Sequence, residues 1–339
     1  MAWSRVAAVV IAVALVTAGC AGSTAVPSAT MATAEASSTP TSAPTLSAAP
    51  TAPSGSPSES PSESPLAAGP VYAVGDDSFH QTEIPTGLSE VTAISAGGYH
   101  SLALSSSGKV VAWGADDHDQ SRITAGLSEV IAISAGGYHS LALTRSGKVV
   151  AWGRNDEAQA QVPAGLSDVI AISAGGYHSL ALQRDGKVVA WGFNGYGAAT
   201  VPAGLSGVVA IAAGNGFSLA LRGDGSVAGW GYGADGETRI PAGLAGVSAI
   251  AAGGTHSLAL KRDGTVVAWG DDFYGETDVP TGLTGAVAIA AGTGFSLALL
   301  RDGTVVAWGY DAQGEIDLPA RLSGVAAISA GWFHSLELA

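Results

Sequence analysis

The sequence predicts an all-β fold, a seven-bladed β-propeller, and three observations predict it. Trp113, Trp152, Trp191, Trp230, Trp269 and Trp308 are each 39 residues apart inside Ala-Trp-Gly or Gly-Trp-Gly, and Val74 of Ala-Val-Gly holds the same phase one period earlier. A second block, typified by His100-Ser-Leu-Ala-Leu104, also occurs seven times, starting at His100, His139, His178, Phe217, His256, Phe295 and His334. The apolar runs between these marks, such as Val110 to Trp113 and Val130 to Ile133, are four to six residues long and are broken by Gly or Asp-Gly. Such lengths belong to strands, and runs without polar alternation imply sheets covered on both faces, as in a radial stack of blades.

The elements follow in chain order. Residues 1–19 read as a signal peptide: Arg5 is the positive start, Val6 to Val16 an apolar run short for a bilayer span, and small residues follow. Cys20, the only cysteine of the 339 residues, stands in Val-Thr-Ala-Gly-Cys, where a bacterial lipobox places the lipidated residue, although Thr17 departs from the usual Leu. One cysteine allows no internal disulfide, so the fold must hold by packing. Residues 20–69 are nearly all Ala, Ser, Thr, Pro and Gly, too poor in large apolar groups to offset the entropy of ordering, and are expected to form a disordered tether. The propeller is expected over 70–339.

Within each period an Ile-rich strand ends in Ala-Gly and a short loop; the Ser-Leu-Ala-Leu strand follows. A turn at Ser107-Gly108, Asp185-Gly186 or Asp263-Gly264 reverses the chain into Val-Val-Ala-Trp-Gly, because residues with φ > 0 match the twist of a hairpin. The remaining segment, such as Glu276 to Pro280, is expected to be a fourth, outer strand, where Pro is tolerated at an edge. That gives four antiparallel strands per blade. The domain opens with a lone Trp-Gly-phase strand, Val71 to Gly75, and ends at Leu338 without its following partner. Joined in one blade, these strands close the ring and hide two sheet edges.

Net charge is −14, and residues 67–339 keep −12 of it with no basic stripe, which excludes nucleic acid as a partner. Cationic or mixed-charge proteins fit better.

The unit Ile-Ser-Ala-Gly-Gly-Tyr-His-Ser-Leu-Ala-Leu, a turn, then Val-Val-Ala-Trp-Gly resembles the repeat of the regulator of chromosome condensation family, over residues 70–339. The short period and the Val-Pro-Ala-Gly-Leu spacer are most similar to the compact bacterial repeat of the secreted propeller-type β-lactamase inhibitors. The resemblance implies a seven-bladed propeller and, through the inhibitors, a protein partner such as a β-lactamase or a cell-wall transpeptidase. It argues against nucleotide exchange, because the wedge insertion and basic tail of the eukaryotic exchange factor have no counterpart among periods of uniform length.

Seven copies of one unit also permit a comparison inside the chain. Two windows vary: the four residues after each Trp-Gly and the pair after each Ala-Gly. Both follow strands running the same way, so both are expected at one end of the ring, opposite the uniform turns at Gly108, Gly147 and Gly186. The first window supplies Asp76, Asp77, Phe79, Asp117, His118, Asp156, Phe193, Tyr196, Tyr232, Asp235, Asp271, Phe273, Tyr274 and Tyr310. The second supplies Tyr99, Tyr138, Tyr177, Trp332 and Phe333. Rigid aromatics give contact area at low entropy cost and carboxylates steer a basic partner, so these residues are the expected partner-binding surface. Packing between blades is the competing reading for Tyr99, Tyr138 and Tyr177.

Five of the seven His-Ser positions tempt a metal reading. It is rejected, since Phe217 and Phe295 stand in two of them and a recurring interior His is normally satisfied by hydrogen bonds. Asp76-Asp77, Asp116-Asp117 and Asp271-Asp272 are too few converging oxygens for calcium. No nucleophile with a paired base recurs and no phosphate cradle is present. The expectation is a monomeric, exported, cell-surface lipoprotein or secreted protein that binds another protein, without enzymatic activity, metal or cofactor. The alternatives are a carbohydrate or cell-wall adhesion module, and a lyase or hydrolase working in the central channel.

Overall fold

The computed structural model describes residues 69–320 and 322–339. The expected signal peptide, Cys20 and all but the last residue of the expected tether lie outside the described residues. Every regular element described is a strand, and the 21 strands form seven three-stranded antiparallel sheets.

One blade shows the plan. Val91–Ala96 is the inner strand, His100–Ser105 the middle one and Val110–Gly114 the outer one. The same trio recurs from Val130–Ala135, His139–Thr144 and Val149–Gly153 through to Ala286–Ala291, Phe295–Leu300 and Val305–Gly309. The ring closes as expected: Val71–Gly75 pairs with His334–Leu338, which pairs with Ala327–Ala330, so the first and last strands share a blade. Apolar side chains from neighbouring blades interlock, as where Ile94, Ala103 and Trp113 pack on Leu336 and Leu338 across the closure.

The expected fourth strand is not there. Residues 275–280 and their equivalents form turns, in which Asp278 N donates to Gly275 O (3.1 Å) and Val279 N to Thr277 O (2.8 Å). These amides are spent on local bonds, and Pro280 has no N–H to give, so the segment cannot build a ladder on the outer strand. It covers the blade as irregular chain instead: Ile84 and Leu88 pack on one interface, Val162 and Leu166 on another.

A girdle of hydrogen bonds ties blade to blade. His100 Nε2 lies 2.8 Å from Ser140 Oγ, and His139–Ser179, His178–Ser218, His256–Ser296 and His334–Ser101 repeat the contact at 2.8–2.9 Å. Each serine hydroxyl donates its one proton to a carbonyl, Ser140 Oγ to Gln120 O at 3.0 Å for example, so the imidazole must donate from Nε2. Burial holds the rings neutral, lowering His100 and His139 to about 3 and His178, His256 and His334 to about 4. These histidines are interior fasteners, in line with their expected structural role.

Candidate functional site

The hydrogen-bond register decides where the variable windows go. His100 pairs with Gly114, and Ala115 N donates to Tyr99 O at 2.8 Å, so the loop after each inner strand abuts the loop after each outer strand. Both windows therefore emerge at one end of the ring. The uniform turns, where Gly108 N donates to Ser105 O, occupy the other end, together with Pro70 and Ala339.

At the variable end the aromatic side chains touch in sequence. Phe79 meets Tyr99 at 5.2 Å between ring centroids, Tyr99 meets Tyr138 at 5.7 Å and Phe333 at 5.7 Å, and Tyr138 meets Tyr177 at 6.1 Å and His118 at 5.4 Å. The band continues through Phe193 and Tyr196 to Tyr232 with contacts of 6.4, 5.6 and 5.1 Å. Trp332 lies at its centre, 5.3–6.2 Å from Tyr99, Tyr138 and Tyr177. Its indole reaches over Gly137, where an added Cβ would come within 2.6 Å of Cζ2, so glycine is what lets the ring lie there. Phe273, Tyr274 and Tyr310 form a separate arc, with contacts of 4.8 and 4.6 Å. Tyr99, Tyr138 and Tyr177 thus pack on one another around Trp332 at the channel mouth. Phe79, Tyr196, Phe273 and Tyr274 are 45%, 58%, 79% and 49% exposed, unusual for such large apolar groups.

The carboxylates surround this band. Asp76 accepts from Ser78 N and Gln81 Nε2, Asp77 from Thr82 N, and Asp117 from Gln120 Nε2, so these three brace their loops. Asp271 accepts from Asp272 N, while Asp235 is solvent-exposed. Asp156 grips Arg154 with three contacts of 2.6–2.9 Å, and that guanidinium holds it below the usual carboxylate range. Arg154 in turn lies 5.4 Å from the ring centres of both Tyr138 and Tyr177.

One set of residues in these loops was not singled out from the sequence. Gln81, Gln120, Gln159, Glu237, Glu276 and Glu315 are fully buried, and each side chain accepts the backbone N–H two residues earlier, such as Phe79 N to Gln81 Oε1 (2.9 Å) and Tyr274 N to Glu276 Oε2 (2.8 Å). The backbone carbonyls of all but Glu315 also take the Trp Nε1–H of the next blade, Trp113 to Gln81 for example, at 2.8–2.9 Å. These residues pin the tips that carry Phe79 and Tyr274. Their signal was legible: a Gln or Glu six places after the Gly of Trp-Gly, or of Val74-Gly75 in the first repeat, in all repeats but the one with Ala198. In the three glutamates the second oxygen, Oε1, has no partner, and burial pushes the carboxyls up.

The axial channel is lined by small residues of the inner strands, with Trp332 at one end and, among the described residues, no ionisable side chain in its wall. Its serines are engaged, as where Ser95 Oγ accepts Ala135 N at 2.9 Å. The alternative of a lyase or hydrolase in the channel therefore finds no acid or base there. A larger cavity, of about 480 Å³, opens on the aromatic face between Tyr177, Phe193, Tyr196 and Tyr232.

Comparison with known proteins agrees with this architecture. No curated protein matches the chain. Among solved structures, the chain is similar to Prp20p from Saccharomyces cerevisiae, with 18% identity, a TM-score of 0.70 and coverage of 81% of this chain and 92% of that one. Human WBSCR16 follows with 21% identity, a TM-score of 0.61 and coverage of 74% and 87%. The ectodomain of the Physcomitrella patens receptor kinase CR4 gives 25% identity, a TM-score of 0.58 and coverage of 71% and 68%. The model of the regulator of chromosome condensation (RCC1) repeat matches six times, at residues 91–120, 130–159, 169–198, 208–237, 247–276 and 286–315. With more than half of its residues inside those matches and the ring closed by its end strands, the chain belongs to the regulator of chromosome condensation repeat family.

Proposed function

We propose that this propeller is a cell-surface protein-binding module that engages an extracytoplasmic partner with its aromatic and acidic face. The observation that carries the reading is the pair of aromatic arcs at one end of the ring, from Phe333 and Phe79 to Tyr232 and from Phe273 to Tyr310, set among carboxylates. Rings held by their neighbours lose little entropy on binding, and acidic side chains raise the encounter rate with a basic partner. Prp20p, of the same fold, is a protein binder studied with Gsp1p and histones, which supports protein recognition as a use of this architecture. Export and lipidation at Cys20 would attach the molecule ahead of residue 69, and the described chain enters the ring at the Gly-turn end, where Ala339 N donates to Pro70 O.

The partner chemistry favoured by the sequence is a β-lactamase or cell-wall transpeptidase, and it is tested by inhibition of a purified class A β-lactamase. Inhibition at micromolar concentration that is lost in a Phe79→Ala/Tyr274→Ala variant, with stability held within about 0.5 kcal/mol, supports it. No inhibition removes that partner and leaves general protein binding. Binding to a glycan array by the wild type, lost in the same variant, would replace protein binding by the adhesion reading.

A further inference from the structure

We infer that the cavity on the aromatic face is a receptor for one arginine side chain of the partner, a deepening that rests on this face being a recognition surface. The cavity opens where a repeated arc of rings stops. Tyr99, Tyr138 and Tyr177 precede their histidines in three successive blades; in the next blade the equivalent residue is Gly216, with φ +99° and no side chain. An added Cβ there would have Tyr196 Cδ2 at 3.5 Å and Tyr232 Cβ at 3.8 Å, so the space left between these rings is bounded by aromatic edges and faces. Tyr177, Phe193, Tyr196 and Tyr232 form the walls, and Glu157 and Asp235 supply the negative charge. About 480 Å³ is within the range of ligand pockets and ample for a side chain.

The protein displays the matching chemistry one repeat earlier. Arg154 places its guanidinium 5.4 Å from the centres of two tyrosine rings while Asp156 clasps it with paired hydrogen bonds. A cation against aromatic faces with a carboxylate on its fork is a strong pairing in a partly dry site. Arg154 also borders the cavity, but its charge is already matched by Asp156, so Glu157 and Asp235 leave the site with two unmatched negative charges. A planar guanidinium suits the flat walls and can take two carboxylate oxygens, which a compact ammonium does less well.

The test uses the full-length protein and two small probes, acetyl-arginine amide and its neutral near-isostere acetyl-citrulline amide, followed by NMR chemical-shift titration. The arginine probe is expected to bind saturably, at least tenfold tighter than the citrulline probe. The Glu157→Gln/Asp235→Asn variant should abolish that preference, and Tyr196→Ala should weaken binding at least fivefold. Lys109→Ala, an exposed change at the Gly-turn end of the ring, should leave the arginine preference unchanged. Equal binding of the two probes, no binding of either, or an unchanged preference in the double variant overturns the inference; near-ultraviolet circular dichroism establishes that each variant is folded. The outcomes also separate from the wider reading: partner binding that depends on Phe79 and Tyr274 without any arginine preference leaves the recognition face standing and removes only the pocket.

Discussion

The ring has two unlike halves. In the first three repeats, ending near Gln183, the loops carry tyrosine before each histidine, glutamine as the buried pin, and non-glycine residues in the left-handed region: His80, Glu90, Asp119, Glu129, Ala158 and Asp168 have φ of 53–62°. In the remaining four repeats glycine takes these backbone positions, as at Gly197, Gly236, Gly275 and Gly314, and the pin is a buried glutamate, or Ala198 in one blade. The first half holds the tyrosines around Trp332; the second holds the most exposed tips, Tyr196, Phe273 and Tyr274, and the cavity lies where the two meet. Similar blade interiors therefore support two differently built edges, because the strands bear the packing and the loops need only satisfy their own hydrogen bonds.

The largest effect expected is common to both halves. Five histidines are held neutral by burial, with folded values of about 3 to 4 against an ordinary 6.5. A lowered folded pKa contributes stability that is fully present above the unfolded value and is lost as pH falls toward the folded one. Between about pH 6.5 and 4 the unfolding free energy should fall by on the order of 1.4 kcal/mol per pH unit for each histidine, read from denaturant melts. His139→Phe, which copies Phe217 and Phe295, should reduce that slope by one proton; an unchanged slope would show that the girdle does not titrate as a set.

Next in size, Trp191→Ala and Trp269→Ala should each cost about 3–5 kcal/mol, since both indoles are almost wholly buried in equivalent packing. A large difference between them would mean that the halves differ in their cores and not only in their loops.

The pins offer a smaller, sign-reversing contrast. Glu276 Oε1 is buried without a partner, and Asp271 occupies the phase in which Asp76 accepts from Gln81 Nε2. Glu276→Gln should raise stability by about 1–3 kcal/mol at pH 8. A raised folded pKa costs nothing below the unfolded value and destabilises as pH rises through the folded one, so the gain should shrink toward pH 4.5. A gain independent of pH would assign the effect to packing.

Smallest is the backbone contrast. Ala158→Gly removes a left-handed alanine at φ 61° where the second half already uses glycine, and should stabilise by up to about 1 kcal/mol in the same melts. A loss of stability would mean that the alanine side chain has packing worth more than the strain.

Several of these features were legible in the sequence. The period fixed by Trp113 to Trp308 predicts the blade number, and strand polarity predicts that Phe79 and Tyr99 share an end of the ring, which their 5.2 Å contact bears out. The fourth strand was misread because a short polar segment ending in Val-Pro fits an edge strand and a turn equally well, and only the local bonds of Asp278 and Val279 distinguish them. Glu337 shows a further limit. It replaces the alanine of Ser-Leu-Ala-Leu, and its burial, which pushes it up to about 7, follows from a middle-strand position paired with Tyr72 on one side and Ile328 on the other.

By itself, the sequence determined the repeat, the order of the three strands in each blade and the two loop sets that vary, because a fixed period and short apolar runs are local properties of the chain. Which rings touch, where the band breaks into two arcs, and that a glycine at 216 opens a cavity were decided only by the closed tertiary structure. Most of those contacts join residues from different repeats, such as Tyr99 with Tyr138 and Tyr196 with Tyr232, and their distances are set by the angle at which one blade meets the next, a quantity that no single repeat contains.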